Sequence, residues 1–399
     1  MARRDRDQDH RVSTPLELFF DLCFVVAVSQ AAGSLHHALV EGHIGHGIIG
    51  FASVFFAIWW AWMNFTWFAS AYDVDDVPYR LLTLLTIVGV LVLAAGIPAM
   101  FENHFVIGTL GYALMRVALV AQWVRVARND RLGRPVARRF AIGVAGVQLL
   151  WLARLALPAA IGREAFFVLV VLELAVPMWA ERAGPSTSWH PAHVADRYGA
   201  FTIIVLGECV LAATNAVQAS LTSGGATADL LVFSGASVVV VFGLWWTYFQ
   251  ESGEELLREQ PERAYLWGYS HYLVFGAIAA LGAGLALGAD SVEHPIDLSS
   301  GAVALAIALP VAAYLLALGA YRSGTRTDAV GRRWYVIATA AVVVVAAPAV
   351  GPTSLPGSVA VMGGAVAALV ATDIVLDQRA AATDVARPAE PAEVDLDRG

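Results

Sequence analysis

Glu17 and Asp21 open the first apolar run, Leu16-Glu-Leu-Phe-Phe-Asp-Leu, four residues apart and so on one face of a helix. Four more ionisable groups sit deep in apolar runs: Arg116, Glu173, Glu208 and His271. A charge at mid-membrane depth costs roughly 2.5–3.5 kcal/mol on insertion scales, so each needs a partner or a task. Glu208, preceded by Gly207 in Phe201-Thr-Ile-Ile-Val-Leu-Gly-Glu, could ligate a cation or hold a proton. An imidazole at His271 could bond a carboxyl or relay protons. The simplest partner for Arg116 is Glu173, with Asp21 and Glu208 as alternatives. Glu17 and Asp21 could cap the first helix or line a vestibule that concentrates cations, and a cap would satisfy only Glu17.

The elements that would position these groups are membrane helices. Runs of spanning length fall near 16–38, 46–70, 78–100, 104–126, 137–158, 163–181, 195–219, 229–250, 263–288, 299–321, 332–350 and 355–377. With both termini inside, every loop arginine except Arg163 lies on the cytoplasmic side, Arg182 and Arg197 among them; Arg116 and Arg154 fall within spans. That asymmetry predicts an even number of helices with cytoplasmic ends.

The second half repeats signals of the first. Phe56-Ala-Ile-Trp-Trp-Ala-Trp-Met-Asn64 matches Phe242-Gly-Leu-Trp-Trp-Thr-Tyr-Phe-Gln250, and each is followed by acids and then Pro-x-Arg. Glu17-Leu-Phe-Phe pairs with Asp196-Arg-Tyr-Gly. The expectation is an all-α polytopic membrane protein of about twelve transmembrane helices in two parallel six-helix repeats. Its parts are an arm (1–15), repeats at 16–182 and 183–378, and a polar tail (379–399) too poor in apolar residues for a packed core.

Composition agrees. Of 399 residues, 58% are hydrophobic and 15% charged, against roughly 45–50% and 25% in soluble domains. Mean hydropathy is +0.65. All 25 basic residues are arginine. The absence of a basic stripe with interleaved aromatics argues against nucleic acid as a partner. Cys23 and Cys209 suggest neither a disulfide framework nor a metal site. His36, His37, His43 and His46 match no metal-ligand spacing and read as a wet loop. The tryptophans at 59, 60, 62, 67, 245 and 246 read as an interfacial aromatic belt. Phosphate loops, nucleophile elbows and HExxH are all missing, so neither an enzyme nor a cofactor is indicated.

Leu16-Glu-Leu-Phe-Phe-Asp-Leu, Phe201-Thr-Ile-Ile-Val-Leu-Gly-Glu208 and Gly268-Tyr-Ser-His271 resemble the bacterial low temperature requirement protein A family, over residues 12–378. The resemblance implies a polytopic inner-membrane protein associated by name with growth in the cold; it implies no mechanism. Phe19-Phe-Asp21 is also similar to the Phe-Ser-Asp motif of two-repeat potassium channels, but the second half lacks that acid.

Together these features predict a bacterial plasma-membrane transporter, coupled to protons or cations, with its path between the repeats. Glu208 and His271 would form the central site, Asp21 and Glu17 its approach, and Arg116 a counter-charge. The partners are the lipid bilayer and a small ion or solute, and the reading admits a homo-oligomer. A cation channel, or a scaffold or sensor whose charges only lock helices, are the alternatives.

Overall fold

The computed structural model describes residues 2–3, 13–185, 187–223, 227–294, 296–322 and 329–386. Twelve long helices and one short one follow in order: α1 (Pro15–Val40), α2 (Ile44–Ala71), α3 (Val77–Phe101), α4 (Val106–Asn129), α5 (Arg134–Arg154), α6 (Ala159–Glu181), α7 (Pro191–Ser223), α8 (Ala228–Phe249), α9 (Gly253–Glu259), α10 (Ala264–Glu293), α11 (Ser300–Arg322), α12 (Ala329–Val350) and α13 (Leu355–Ala386). Ten are long and apolar enough to cross a membrane. α6 falls outside that set because it carries Arg163, Glu164, Glu173 and Glu181. Of α12, the described apolar part is Trp334–Val350. A two-residue antiparallel bridge joins Ala2–Arg3 to Tyr72–Asp73. The polar tail begins later than expected, since α13 continues to Ala386; the remainder lies outside the described residues.

Local chemistry sets the helix ends. Thr14 and Glu17 form a capping box ahead of Pro15, so α1 starts where its orphan N–H groups are answered. Gly42, at φ 75°, turns the chain from α1 into α2 in a conformation L side chains avoid. Asp76 caps α3 through the Tyr79 N–H at 2.9 Å and receives Arg125 at 2.6 Å. Partial burial pushes the Asp76 carboxyl up, but the Tyr79 N–H and Arg125 outweigh it and hold it below the usual carboxylate range.

Short loops make α1 to α6 alternate in direction. The start of α1 defines one end of the bundle, called here the N-side; the α3–α4 and α5–α6 turns lie at the far side. α3 packs on α1 and α4, and α10 packs on α7, α1 and α11. Between the halves stands α2, whose Trp62 rings against Tyr198, Phe201 and Phe275. Trp59, Trp60 and Trp62 are therefore core residues, 2% exposed or less, and not the expected belt. Trp245 and Trp246, at 43% and 44%, do face outward.

Glycines let α3 and α4 meet backbone to backbone. A Cβ on Gly96 would stand 2.7 Å from the Gly108 nitrogen, and one on Gly89 would stand 2.9 Å from the Gly111 carbonyl oxygen. Gly146 on α5 faces open space. Gly96→Ala is expected to lower the thermal midpoint of the detergent-purified protein, at an overpacking cost of about 1–3 kcal/mol. Gly146→Ala, gaining helix propensity of about 1 kcal/mol without a clash, should leave the midpoint unchanged or raise it. A midpoint for Gly96→Ala at or above wild type would contradict this packing.

Candidate functional site

Two buried charge clusters account for four of the six expected residues. In the first, α1 and α7 run side by side in the same direction. Glu17 Oε1 lies 3.2 Å from His193 Nε2 and 3.6 Å from Arg197 Nη1. One turn further, Asp21 receives Arg197 through two bonds, 2.9 Å from Nε and 2.5 Å from Nη2, and Trp62 Nε1 at 2.6 Å. The spacing explains the register, because acids at i and i+4 meet His193 and Arg197 at i and i+4. Glu17, Asp21, His193 and Arg197 are all 1% exposed or less, so they form a lock and not an open vestibule. Asp196, one residue away, turns outward and accepts from Ser13 N at 2.8 Å and Ser13 Oγ at 2.5 Å.

Arg197 corrects the loop assignment made from sequence. α7 begins at Pro191, so Arg197 sits two turns inside, level with Asp21. The available signal was the pattern His193-x3-Arg197, which mirrors Glu17-x3-Asp21 with the sign reversed.

The second cluster surrounds Glu173 on α6. Its carboxylate accepts from Trp60 Nε1 at 2.8 Å, Tyr112 Oη at 2.9 Å and Trp151 Nε1 at 3.1 Å. Arg116 Nη2 lies 3.5 Å from Oε2 and also hydrogen-bonds Tyr112 Oη. Arg116 and Glu173 are each 1% exposed, so the pair expected from sequence forms, and neither Asp21 nor Glu208 takes its place. Pro177 has no N–H to give the Glu173 carbonyl one turn back, which opens the helix beside the carboxylate. Tyr269 Oη, from α10, donates to the neighbouring Leu174 carbonyl at 3.3 Å. Arg116 Nε and both amide atoms of Gln148 are buried with no hydrogen-bond partner among the described residues. The Tyr112–Trp151 and Trp123–Phe140 ring contacts set the α4–α5 register and bring Gln148 level with Arg116.

This cluster lies between cavities at opposite ends. The far-side cavity, about 720 Å³, is lined by His46, Ser53, His104, Arg154, Arg163 and Phe166, with neighbours. A neck of about 40 Å³ continues from it past Ala57 and Gly108 to Tyr112 and Trp151, two of the groups on Glu173. On the N-side, a cavity of about 330 Å³ reaches Asn64, Pro177, Glu181 and Tyr269. α2 contributes to the wall of all three, through Ser53, Ala57 and Asn64, with Trp60 between them on Glu173.

Glu208 and His271 are not brought together. His271 is fully buried, with Nδ1 on the Trp267 carbonyl at 2.7 Å and Nε2 on Tyr248 Oη at 3.0 Å. Cys209, next to Glu208, donates its thiol to the Ile278 carbonyl at 3.2 Å. Ile278 stands seven residues past His271, roughly 10 Å along α10. Glu208 itself is half-buried on α7 and has no described hydrogen-bond or ion-pair partner. Of the first-loop histidines, His36 meets Asp290 at 2.8 Å and His46 the Phe101 carbonyl, while His37 and His43 both approach Glu41, at 3.2 and 3.5 Å.

Removing one partner of a buried pair strands the other, at a typical cost of about 3–5 kcal/mol. Arg197→Gln and Asp21→Asn are each expected to lower the thermal midpoint sharply. The double variant should lie well above the sum of the two losses, as a double-mutant cycle would measure. Additive losses would show that the two residues do not act as a pair.

An uncharacterized protein of Rhizobium meliloti (strain 1021), RA0937, is 28% identical over 329 residues, which covers 76% of this chain and 75% of that protein. The model of the bacterial low temperature requirement A protein (LtrA) matches residues 12–371. With nearly the whole helical bundle inside that match, the chain belongs to the LtrA family.

Proposed function

We propose that this LtrA-family membrane protein is a transporter, coupled to protons or cations, whose path runs along α2 through the Glu173–Arg116 cluster. The observation that carries the reading is the order of features along that line. A far-side cavity, a neck, a buried carboxylate–guanidinium pair and an N-side cavity follow one another along α2. Alternating access needs a site that closes one end while the other opens, and a buried charge pair is the element a substrate or proton could break. Protonating Glu173 would release Arg116, and the unmatched Arg116 Nε and Gln148 amide offer a passing solute further bonds.

The N-side cavity is shared between the halves, through α2 and α6 on one side and Pro261–Tyr269 on the other. The remaining path therefore belongs to the first half, and not to the Glu208–His271 region expected from sequence. Glu17, Asp21 and Arg197 act as the hinge lock between α1 and α7, His271 as a fixed post against Tyr248, and Glu208 as an acid off this path. The twofold internal repeat is part of the same reading. It is supported by the matching order of packing, α3 on α1 and α4, α10 on α7 and α11. The arginine bias of the N-side loops supports cytoplasmic termini in a bacterial plasma membrane.

Purified protein in proteoliposomes, with a lumenal pH dye under imposed potassium and proton gradients, tests the reading. Ala57→Phe fills the neck without touching the ion pair, and Glu173→Gln removes the carboxylate. Wild type should pass ions above protein-free vesicles, and each folded variant should lose about tenfold or more. Flux that persists in folded Ala57→Phe, or wild-type flux equal to that of empty vesicles, would contradict the path.

A further inference from the structure

The far-side cavity has a charge that the proton- or cation-coupled reading does not require. Its titratable lining is Arg154, Arg163, His46 and His104, with no carboxylate among the lining residues. Glu102 and Glu164 flank it in sequence, but both are exposed and neither lines it. A small cation would meet two guanidiniums at this mouth, and an anion would be drawn in.

Arg154 stands where the cavity narrows into the neck and lines both. Its guanidinium carbon lies 4.6 Å from the Phe105 ring centre, 5.5 Å from Phe166 and 5.9 Å from Trp151. Its Nε donates to the Gly162 carbonyl at 2.6 Å, which fixes the fork, and no carboxylate pairs with it among the described residues. A guanidinium held by aromatic walls with its terminal nitrogens uncommitted matches the planar geometry of a carboxylate or phosphate.

Helix ends at this cavity balance, since α4 begins at Val106 and α6 at Ala159 while α3 ends at Phe101 and α5 at Arg154, so the two guanidiniums set its charge. The rest of the wall is aliphatic and aromatic, including Ile49, Val54, Met100, Leu155 and Phe167. At about 720 Å³ the space is in the range that takes a compact organic molecule.

We propose that this cavity binds a small organic anion, its acidic group on Arg154 and its apolar body against the aliphatic and aromatic wall. As a substrate class the proposal rests on the path above; as a binding site it stands without it. Along that path the anion would next meet Arg116, whose release from Glu173 on protonation would couple an entering anion to an entering proton.

The test is calorimetric binding of phenylacetate to the full-length protein in nanodiscs, with phenylacetamide as its uncharged isostere. Wild type should bind phenylacetate at least about tenfold more tightly than phenylacetamide, and Arg154→Gln should erase that difference. Should Arg154→Gln fail to fold, Arg163→Glu, on an exposed residue at the mouth, should weaken phenylacetate several-fold and leave phenylacetamide unchanged. Equal affinity for the two compounds, phenylacetate binding unaffected by these substitutions, or no saturable binding up to millimolar phenylacetate would overturn the proposal. Binding is read without flux, so the two claims separate. With phenylacetate present in the flux assay, protein that binds it but passes no ions keeps the anion site and refutes transport, and protein that passes ions but ignores phenylacetate does the reverse.

Discussion

A charge that cannot reach water must be answered inside the protein, and that requirement organises this bundle. Asp21 and Arg197 are removed from solvent on different helices in different halves of the chain, as are Arg116 and Glu173 within the first half. Taking such groups out of water is costly enough that a buried pair adds little net stability, but leaving one member alone is far worse. The pairs therefore act mainly on geometry. A slip of α7 by one residue against α1 would separate Arg197 from Asp21 and His193 from Glu17 together. The remaining lone pairs of both acids are filled by indole and phenol donors, so the aromatic residues around them are chosen as much for their N–H and O–H groups as for their bulk.

Around these fixed points the helices divide into rigid and permissive contacts. The α3–α4 seam is closed by glycines, with no room for a methyl group, and the rings of α7 and α10 pack against one another and against Trp62 in stacked, tilted and edge-on contacts. The α2–α5–α6 region is looser. It holds the cavities and a proline that interrupts α6 beside Glu173. A protein that moves a solute needs both kinds of region, since a tight frame gives the looser part something to move against. In this account α1, α7 and α10 supply the frame, and α2 and α6 bound the path.

Much of this was legible in the sequence, because the bilayer enforces long apolar segments and penalises each charge within them. Helix positions followed from run length, and the Arg116–Glu173 pair followed from there being few charges at that depth to choose between. Three features were hidden for a common reason: they depend on register between helices. Arg197 looked like a loop residue because the apolar pattern of α7 strengthens only after it, while its helix starts at Pro191. Trp59, Trp60 and Trp62 looked interfacial because one chain does not show which helix will cover them. Glu208 and His271 looked like partners by depth, but the parallel register of α7 and α10 sets them roughly two turns apart. The basic far-side mouth was hidden too, since Arg154, Arg163, His46 and His104 come from three separate turns.

On the proposed path, α2 borders two compartments of opposite access, separated at Trp60 by the Glu173–Arg116 pair. Accessibility of single cysteines to a membrane-impermeant maleimide tests it most directly, in a background lacking Cys23 and Cys209, both of which are buried. Ser53→Cys should be labelled only from the far face and Asn64→Cys only from the N-side face, although about 16 Å of one helix separates them. Labelling of both from the same face, or of neither in folded protein, would contradict it.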